Sequence, residues 1–501
     1  MAEQGLRDKT VNKPKDNLKQ KAASGMIWTA LQKYSTMGIQ FISGIILARL
    51  LTPYDYGCIG MLNIFMVLAN TFIDGGFASA LIQKKRPSQV DYSTIFFWNM
   101  GMSTVLYAIL FLSAPAIARF YGIPLLSTVL RVQGIVLFIN AFNLIQDNLL
   151  RKKINFKAIS IVTIITSLVS LTITIWMAYK GYGVWALVAQ NIVSASITTI
   201  VFWFYVKWRP TLVFSLASFK ELFSFGFFMF LTSLLNKLGT QIQGLLIGKV
   251  YNPSTLGYYS KASSTEKLAS HSISQVITQV TFPLYAEVQD NKEALVGMIR
   301  RLSMTLAYIT FPLMFILLLC SKPIFVLLYS ERWVQSVPYF QVLCLAGLAS
   351  CLMAVNTQPI AAIGKSKTMF VWTVIKRTFG ICFVVAGLAF GGMKGLLVGV
   401  ILNTWFSYLV NIGLVSKHVG YKWTRQLVDL LPIGLVAVVA AILSYGIGYY
   451  SYLSLYPDGI IKAVVYLIIY LGWSFIFKPE AYTYFLTIIP QRFRFWEKKS
   501  N

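Results

Sequence analysis

Charge is scarce in this chain of 501 residues: only 12% are Asp, Glu, Lys or Arg, against about 25% in a typical soluble domain. Carboxylates are scarcer still, 17 against 44 basic residues, and none are paired for general acid–base chemistry. The two histidines, His271 and His418, are too few for a His-based metal centre or a Ser-His-Asp set. Five cysteines (Cys58, Cys320, Cys344, Cys351 and Cys382) are scattered through apolar runs without a Cys-x-x-Cys spacing, and they read as small hydrophobes. There is no Walker motif, so ATP hydrolysis is excluded. The longest internal connectors, near 207–221 and 285–301, are too short to fold alone, so no catalytic domain outside the apolar segments is expected. The sequence calls for no cofactor and does not read as an enzyme.

What fills the chain instead is apolar: 56% of residues are hydrophobic and 15% aromatic, and the mean hydropathy is +0.65. Runs of roughly 20 apolar residues recur along the whole length, the signature of an all-α polytopic membrane protein. Continuous runs rather than alternation select a helix bundle over a barrel. About fourteen spans are expected, from 24–47 and 57–80 at the start to 427–449 and 460–477 at the end. Residues 1–23 are hydrophilic and basic and no small-residue cleavage site follows the first apolar run, so the first span is expected to act as its own insertion signal.

The formal charge of +27 raises the question of nucleic acid, but the distribution of the cations answers it. Segments on the side of the two tails hold 29 Lys and Arg, including Lys84-Lys85-Arg86 and Arg151-Lys152-Lys153, against 8 on the other side. Such a bias puts both termini in the cytoplasm and sets the basic loops against anionic headgroups. Membrane lipids, not nucleic acid, are the partners that this charge implies.

One stretch occurs twice. In Gly25–Gly57, the residues Gly44, Arg49, Pro53 and Gly57 correspond to Gly244, Lys249, Pro253 and Gly257 two hundred positions later. The spacing argues for two related lobes, each opening on an unusually polar span. The expected organisation is a basic tail at 1–23, an N-lobe of six helices at 24–206, a C-lobe of six helices at 207–417, two further helices at 418–477 and a basic tail at 478–501.

Charge at membrane depth is costly and tends to face a cavity. Polar stripes at helical spacing run through spans 1, 2, 7 and 8. They carry Lys33 and Gln40, Asn63 and Asn70, Lys237 and Gln241, and Lys267 and His271. These spans are expected to line a water-filled cavity between the lobes, with Lys33, Lys237, Lys267, Lys376 and Arg377 as cations for an anionic cargo. Interhelical hydrogen bonding is the other reading of the Asn, Gln, Ser and Thr positions, and snorkelling the other reading of Lys33 and of one of Lys376 and Arg377. Arg49 and Lys249, matched by the repeat, read either as snorkelling ends or as an outer gate or headgroup contact. Asp74, Asp147 and Glu266 are the few acidic candidates for pairing with a cavity lysine or for ion coupling. A surface helix-end charge is the alternative for Asp74 and Asp147. Asp74 precedes Gly75-Gly76, which is expected to break the end of span 2.

Several segments together resemble the Wzx-type polysaccharide flippases of the multidrug/oligosaccharidyl-lipid/polysaccharide exporter superfamily. They are ARLLTPYDYG at 48–57, FIDGGFASALIQK at 72–84, GKVYNPSTLGYYSKA at 248–262, FPLYAEVQD at 282–290 and GKSKT at 364–368. The colanic-acid and lipopolysaccharide exporter branch is the most similar. The resemblance implies two facing six-helix lobes plus helices 13 and 14. It implies flipping of an undecaprenyl-diphosphate-linked oligosaccharide from the cytoplasmic to the outer leaflet of the bacterial inner membrane, by alternating access. A polysaccharide polymerase and chain-length machinery would be partners. Lys33, Arg49, Lys237 and Lys249 stand at positions compatible with the cavity cations of related lipid flippases. Two alternatives remain: a drug or cation antiporter on the same fold, which would want an acidic, aromatic cavity, and a membrane polymerase or ligase, which would want a large outer loop.

Overall fold

The computed structural model describes residues 13–288, 290–450 and 454–488, and every regular element among them is helical. About half of each basic tail expected at 1–23 and 478–501 falls outside these residues; the described remainder is mostly helical, in α1 and α17. The chain divides into two compact units, Met1–Ser254 and Thr255–Asn501.

In the first unit, α1 (Lys13–Leu50) is followed by α2 (Pro53–Asp74), α3 (Phe77–Gln83), α4 (Gln89–Tyr121), α5 (Leu125–Gln133) and α6 (Ile135–Lys152), then α7 (Phe156–Tyr179), α8 (Val184–Tyr205) and α9 (Leu216–Val250). Short local signals set the helix ends. α2 starts at a capping box with Pro53 in its first turn: the Thr52 amide donates to Asp55 Oδ2 at 2.9 Å, and the Asp55 amide donates back to Thr52 Oγ1 at 3.4 Å. Ser88 and Asp91 repeat the device at α4, with bonds of 2.7 and 3.1 Å. α2 stops where expected, at Gly75 and Gly76, whose φ values of 53° and 79° suit glycine.

α1 packs on α7, and α9 packs along α2, α3 and α4. Backbone contacts bound the α2–α9 seam: a Cβ on Gly76, just past α2, would overlap the carbonyl of Gly226 in α9, and one on Gly57 would overlap the carbonyl of Pro253, three residues past the end of α9. These two points are roughly 28 Å apart at 1.5 Å per residue, about the thickness of a bilayer core. A core of Phe77, Tyr92, Phe96, Ile145 and Phe202 joins α3, α4, α6 and α8.

Seven of the second unit's helices lie wholly within it. α10 (Pro253–Glu287) begins at the boundary, followed by α11 (Lys292–Leu319), α12 (Ser321–Tyr329), a 3-10 turn (Glu331–Ser336), α13 (Val337–Ala362), α14 (Ser366–His418), α15 (Trp423–Tyr450), α16 (Leu455–Phe477) and α17 (Glu480–Ile488). α14 is a hairpin: Gly392, with φ 55° and ψ −139°, folds its second leg back on its first. Small residues let the legs touch, with Gly387 against the Gly395 carbonyl and Gly399 against the Phe383 carbonyl. α11 runs through the middle of the unit against α13, α15 and α16. Tyr470 Oη there donates to the Tyr308 carbonyl at 3.1 Å.

Among the described residues, eleven helical stretches are long and apolar enough to cross a membrane, with the α14 hairpin counted as one. α1 and α10 are too polar to be among them. Two expectations need revision. The connector expected at 285–301 is mostly helix, because α11 begins at Lys292, and of the fourteen expected spans the ninth, which the sequence places at 302–328, is interrupted at Cys320. Hydropathy marks where lipid contact ends; the backbone hydrogen-bond ladder continues into water.

Candidate functional site

The polar positions singled out in the first unit take different partners. Asn63 Nδ2 on α2 donates to Gln241 Oε1 on α9 at 3.2 Å, so these two amides meet in the seam. Asn70 donates to the Met66 carbonyl at 2.8 Å and accepts from Asn140 Nδ2 of α6 at 3.3 Å. Asp74 Oδ1 accepts from the Ala78 amide at 3.3 Å and so serves the start of α3. Asp147 pairs with Arg151 one turn later on α6 at 2.6 Å. Lys249 closes the end of α9 against α4: its Nζ donates to the Phe120 carbonyl at 2.6 Å and stands 4.1 Å above that residue's ring. Lys33 is half-buried, while Gln40, Arg49 and Lys237 are exposed. Neither Lys33 nor Lys237 forms an ion pair among the described residues.

At the opposite end of the seam, Lys84 bridges the buried Asp91 at 3.0 Å and Glu221 of α9 at 2.9 Å. Burial opposes the Lys84 charge, but its hydrogen bonds to Glu221 and Asp91 win and hold its pKa above the ordinary lysine value. That contribution to stability is complete below the unfolded-state pKa and is lost only as pH rises through the raised value. Lys152 caps the end of α3, donating to the carbonyls of Leu81 at 2.8 Å and Ile82 at 3.2 Å and also to that of Lys84. The sequence marks these lysines only as topology signals; nothing in it predicts their partners.

In the second unit Lys261, which the sequence counts among the eight cations on the side away from the tails, is 5% exposed. Its Nζ stands 4.1 Å above the Tyr329 ring, and Tyr329 Oη lies 3.0 Å from Thr265 Oγ1. An aromatic face compensates part of the lost hydration. One turn on, Glu266 is 6% exposed, and its Oε1 has no hydrogen-bond partner. That oxygen faces Gly347 of α13 and lies near Met314 of α11. Lys267 beside it is exposed, and the His271 side chain lies outside the described residues. Lys376 Nζ donates to Asn411 Oδ1 at 2.8 Å across the two legs of α14. They border a cavity of about 40 Å³ that Asn356, Thr357 and Thr373 also line, room for a single water. Arg377, the next residue, is half-buried. No group of His, Cys, Asp and Glu suited to a metal ion occurs among the described residues.

The sequence matches the description "polysaccharide biosynthesis protein" over residues 46–338. The teichuronic acid biosynthesis protein TuaB of Bacillus subtilis is 27% identical over 351 residues, covering 70% of this chain and 73% of that protein. The lipopolysaccharide biosynthesis protein WzxC of Escherichia coli is 24% identical over 438 residues, covering 86% and 88%. Among solved structures, the lipid II flippase MurJ in its inward closed conformation is similar with a TM-score of 0.73. It covers 90% of this chain and 98% of its own, at 15% identity. An inward-facing multidrug resistance MATE family transporter gives 0.61, covering 79% and 98% at 16% identity. Identities this low speak for fold alone. The family match spans more than half of the sequence, and the Wzx-type resemblance of its motifs holds. This chain therefore belongs to the polysaccharide biosynthesis protein family, a multi-pass membrane protein on the fold of the MurJ and MATE transporters.

Proposed function

We propose that the protein carries an undecaprenyl-diphosphate-linked oligosaccharide from the cytoplasmic to the outer leaflet of the inner membrane, supplying a surface polysaccharide. The observation that carries this reading is a polysaccharide-biosynthesis sequence on the fold of a lipid II flippase. The physical problem is the diphosphate, whose charge is expensive in hydrocarbon. Basic residues at membrane depth offset that cost: Lys33, Lys237, Lys267, Lys376 and Arg377, with Gln40, Asn63, Asn70, Gln241 and His271 as polar lining. Arg49 and Lys249 meet the cargo at the outer side. Alternating access then exposes the site to one leaflet at a time while the polyprenyl tail stays in lipid. Asp74, Asp147 and Glu266 are the acidic candidates for coupling an ion; Asp147 would have to leave Arg151 to do so, whereas Glu266 Oε1 has no partner among the described residues to give up. Both termini lie in the cytoplasm, and a polymerase with its chain-length machinery takes the product.

The test uses a deletion strain complemented at matched expression. Loss of the gene should abolish surface polysaccharide and leave lipid-linked precursor in the inner leaflet. Combining Lys33→Ala with Lys237→Ala should lower export at least about tenfold, since a lost charge-assisted contact costs about 1.5–3 kcal/mol. Unchanged export would remove both lysines from the mechanism. The second reading, a drug or cation antiporter, is favoured by the MATE likeness. It predicts that the deletion strain becomes drug-sensitive while its surface polysaccharide stays intact.

A further inference from the structure

The second unit contains a basic cavity that the proposed transport path does not use. It has a volume of about 620 Å³ and opens between the start of α11 and the turn from α14 into α15. Four cations line it (Lys292, Arg300, Lys422 and Arg425) against one carboxylate, Glu293. Val296 and Val419 give it apolar wall.

The floor is built from fixed groups. Arg300 Nε donates to Asp429 Oδ2 at 2.9 Å and its Nη2 to Asp429 Oδ1 at 3.1 Å. The same guanidinium pairs with Glu480 at 2.6 Å. Tyr421 Oη donates to Asp429 Oδ2. Arg300 and Asp429 thus use their charge on each other and hold α11, α15 and α17 together. Among the described residues, Lys292, Lys422 and Arg425 form no ion pair, although Arg425 also acts on Asp429 at longer range. All three are exposed at the mouth. From Lys292 to Arg300 the cavity runs roughly 12 Å along α11, enough to pass through a headgroup layer and reach the acyl boundary. The basic bias of the loops assigns this end of the bundle to the cytoplasmic leaflet, where anionic lipids concentrate.

We propose that this cavity holds an anionic glycerophospholipid of the cytoplasmic leaflet, its phosphodiester between Lys292, Lys422 and Arg425 and the start of its acyl chains against Val296 and Val419. The cation set selects a phosphate, and the apolar wall selects a lipid over the free ion. The lining shares no residue with the proposed transport path, so the occupant is a resident lipid and not cargo. The inference stands whether or not the transported molecule is a lipid-linked oligosaccharide.

Native mass spectrometry and thermal melting of the full-length protein in detergent test it, with phosphatidylglycerol, phosphatidylcholine and inorganic phosphate as separate probes. Phosphatidylglycerol should remain bound and raise the melting temperature, and the other two should not. Combining Lys422→Ala with Arg425→Ala should weaken phosphatidylglycerol binding roughly thirtyfold, and Lys292→Ala should weaken it less. The pair Lys85→Ala and Arg86→Ala, on exposed basic residues of the first unit, should leave it unchanged. Equal retention by the Lys422/Arg425 variant overturns the proposal. So does an equal loss in the Lys85/Arg86 variant, which would indicate diffuse surface charge, and so does stabilisation by inorganic phosphate alone.

Discussion

Glu266 shows what a single residue demands of its neighbours. Its carboxyl is enclosed at Oε1, and the space for it exists because position 347 has no side chain: a Cβ there would sit 2.8 Å from Oε1 and 3.0 Å from Met314 Sδ. Gly347→Ala should therefore cost about 1–3 kcal/mol by overpacking, read as a lower melting temperature in detergent. In a Glu266→Ala background the same change should cost clearly less, because the opposing oxygen is gone; an equal cost in both backgrounds would remove Glu266 as the cause. The sequence marks Glu266 as a rare acidic residue within a span. It does not mark Gly347, which matters only through a neighbour 81 positions away. The burial of Lys261 is illegible for the same reason: the ring of Tyr329 that accommodates it belongs to another helix.

At the scale of elements, local chemistry was readable and pairing was not. Gly75-Gly76 announces a break and makes one in the structure, whereas the start of α2 at Pro53 precedes the span expected from 57 because its capping box lies outside the apolar run. The partner of a helix is set by surfaces far apart in the chain. The repeat makes α9 the counterpart of α1, yet its packing groups it with the first compact unit. The α2–α9 seam rests on glycine at Gly76 and Gly226 and on the Asn63–Gln241 bond. Gly226→Leu should force the seam apart and cost about 1–3 kcal/mol. Phe228→Leu, two residues on at a side chain that is 65% exposed, should shift stability by less than about 0.5 kcal/mol. Thermal melting of the two variants checks this. Equal shifts would mean that the close approach at Gly226 does not hold the seam.

For the whole molecule, the number of crossings decides on which side each loop lies, and α14 is the element on which that number turns. A straight helix of 53 residues would be roughly 80 Å long, nearly twice a bilayer of about 40–45 Å with its headgroups. Folded at Gly392, it has two legs that are each long enough to cross once, and a hairpin that did so would return to the side it left. The backbone contacts between its legs and the Lys376–Asn411 bond fix that geometry. The positive charges agree independently: Lys365 and Lys367 before the hairpin and Lys417 and Lys422 after it belong to the basic side, and Lys394 near the tip to the other. Cysteine accessibility tests both arguments at once. In a background with all five native cysteines replaced, including the exposed Cys382, Lys394→Cys should react with an impermeant maleimide added outside intact cells. Lys365→Cys and Lys422→Cys should react only after permeabilisation. Labelling of Lys365→Cys and Lys422→Cys from opposite sides would mean that α14 crosses once. Labelling of Lys394→Cys only from within would keep the hairpin but invert the molecule, and the basic cavity beside α11 would then face the outer leaflet.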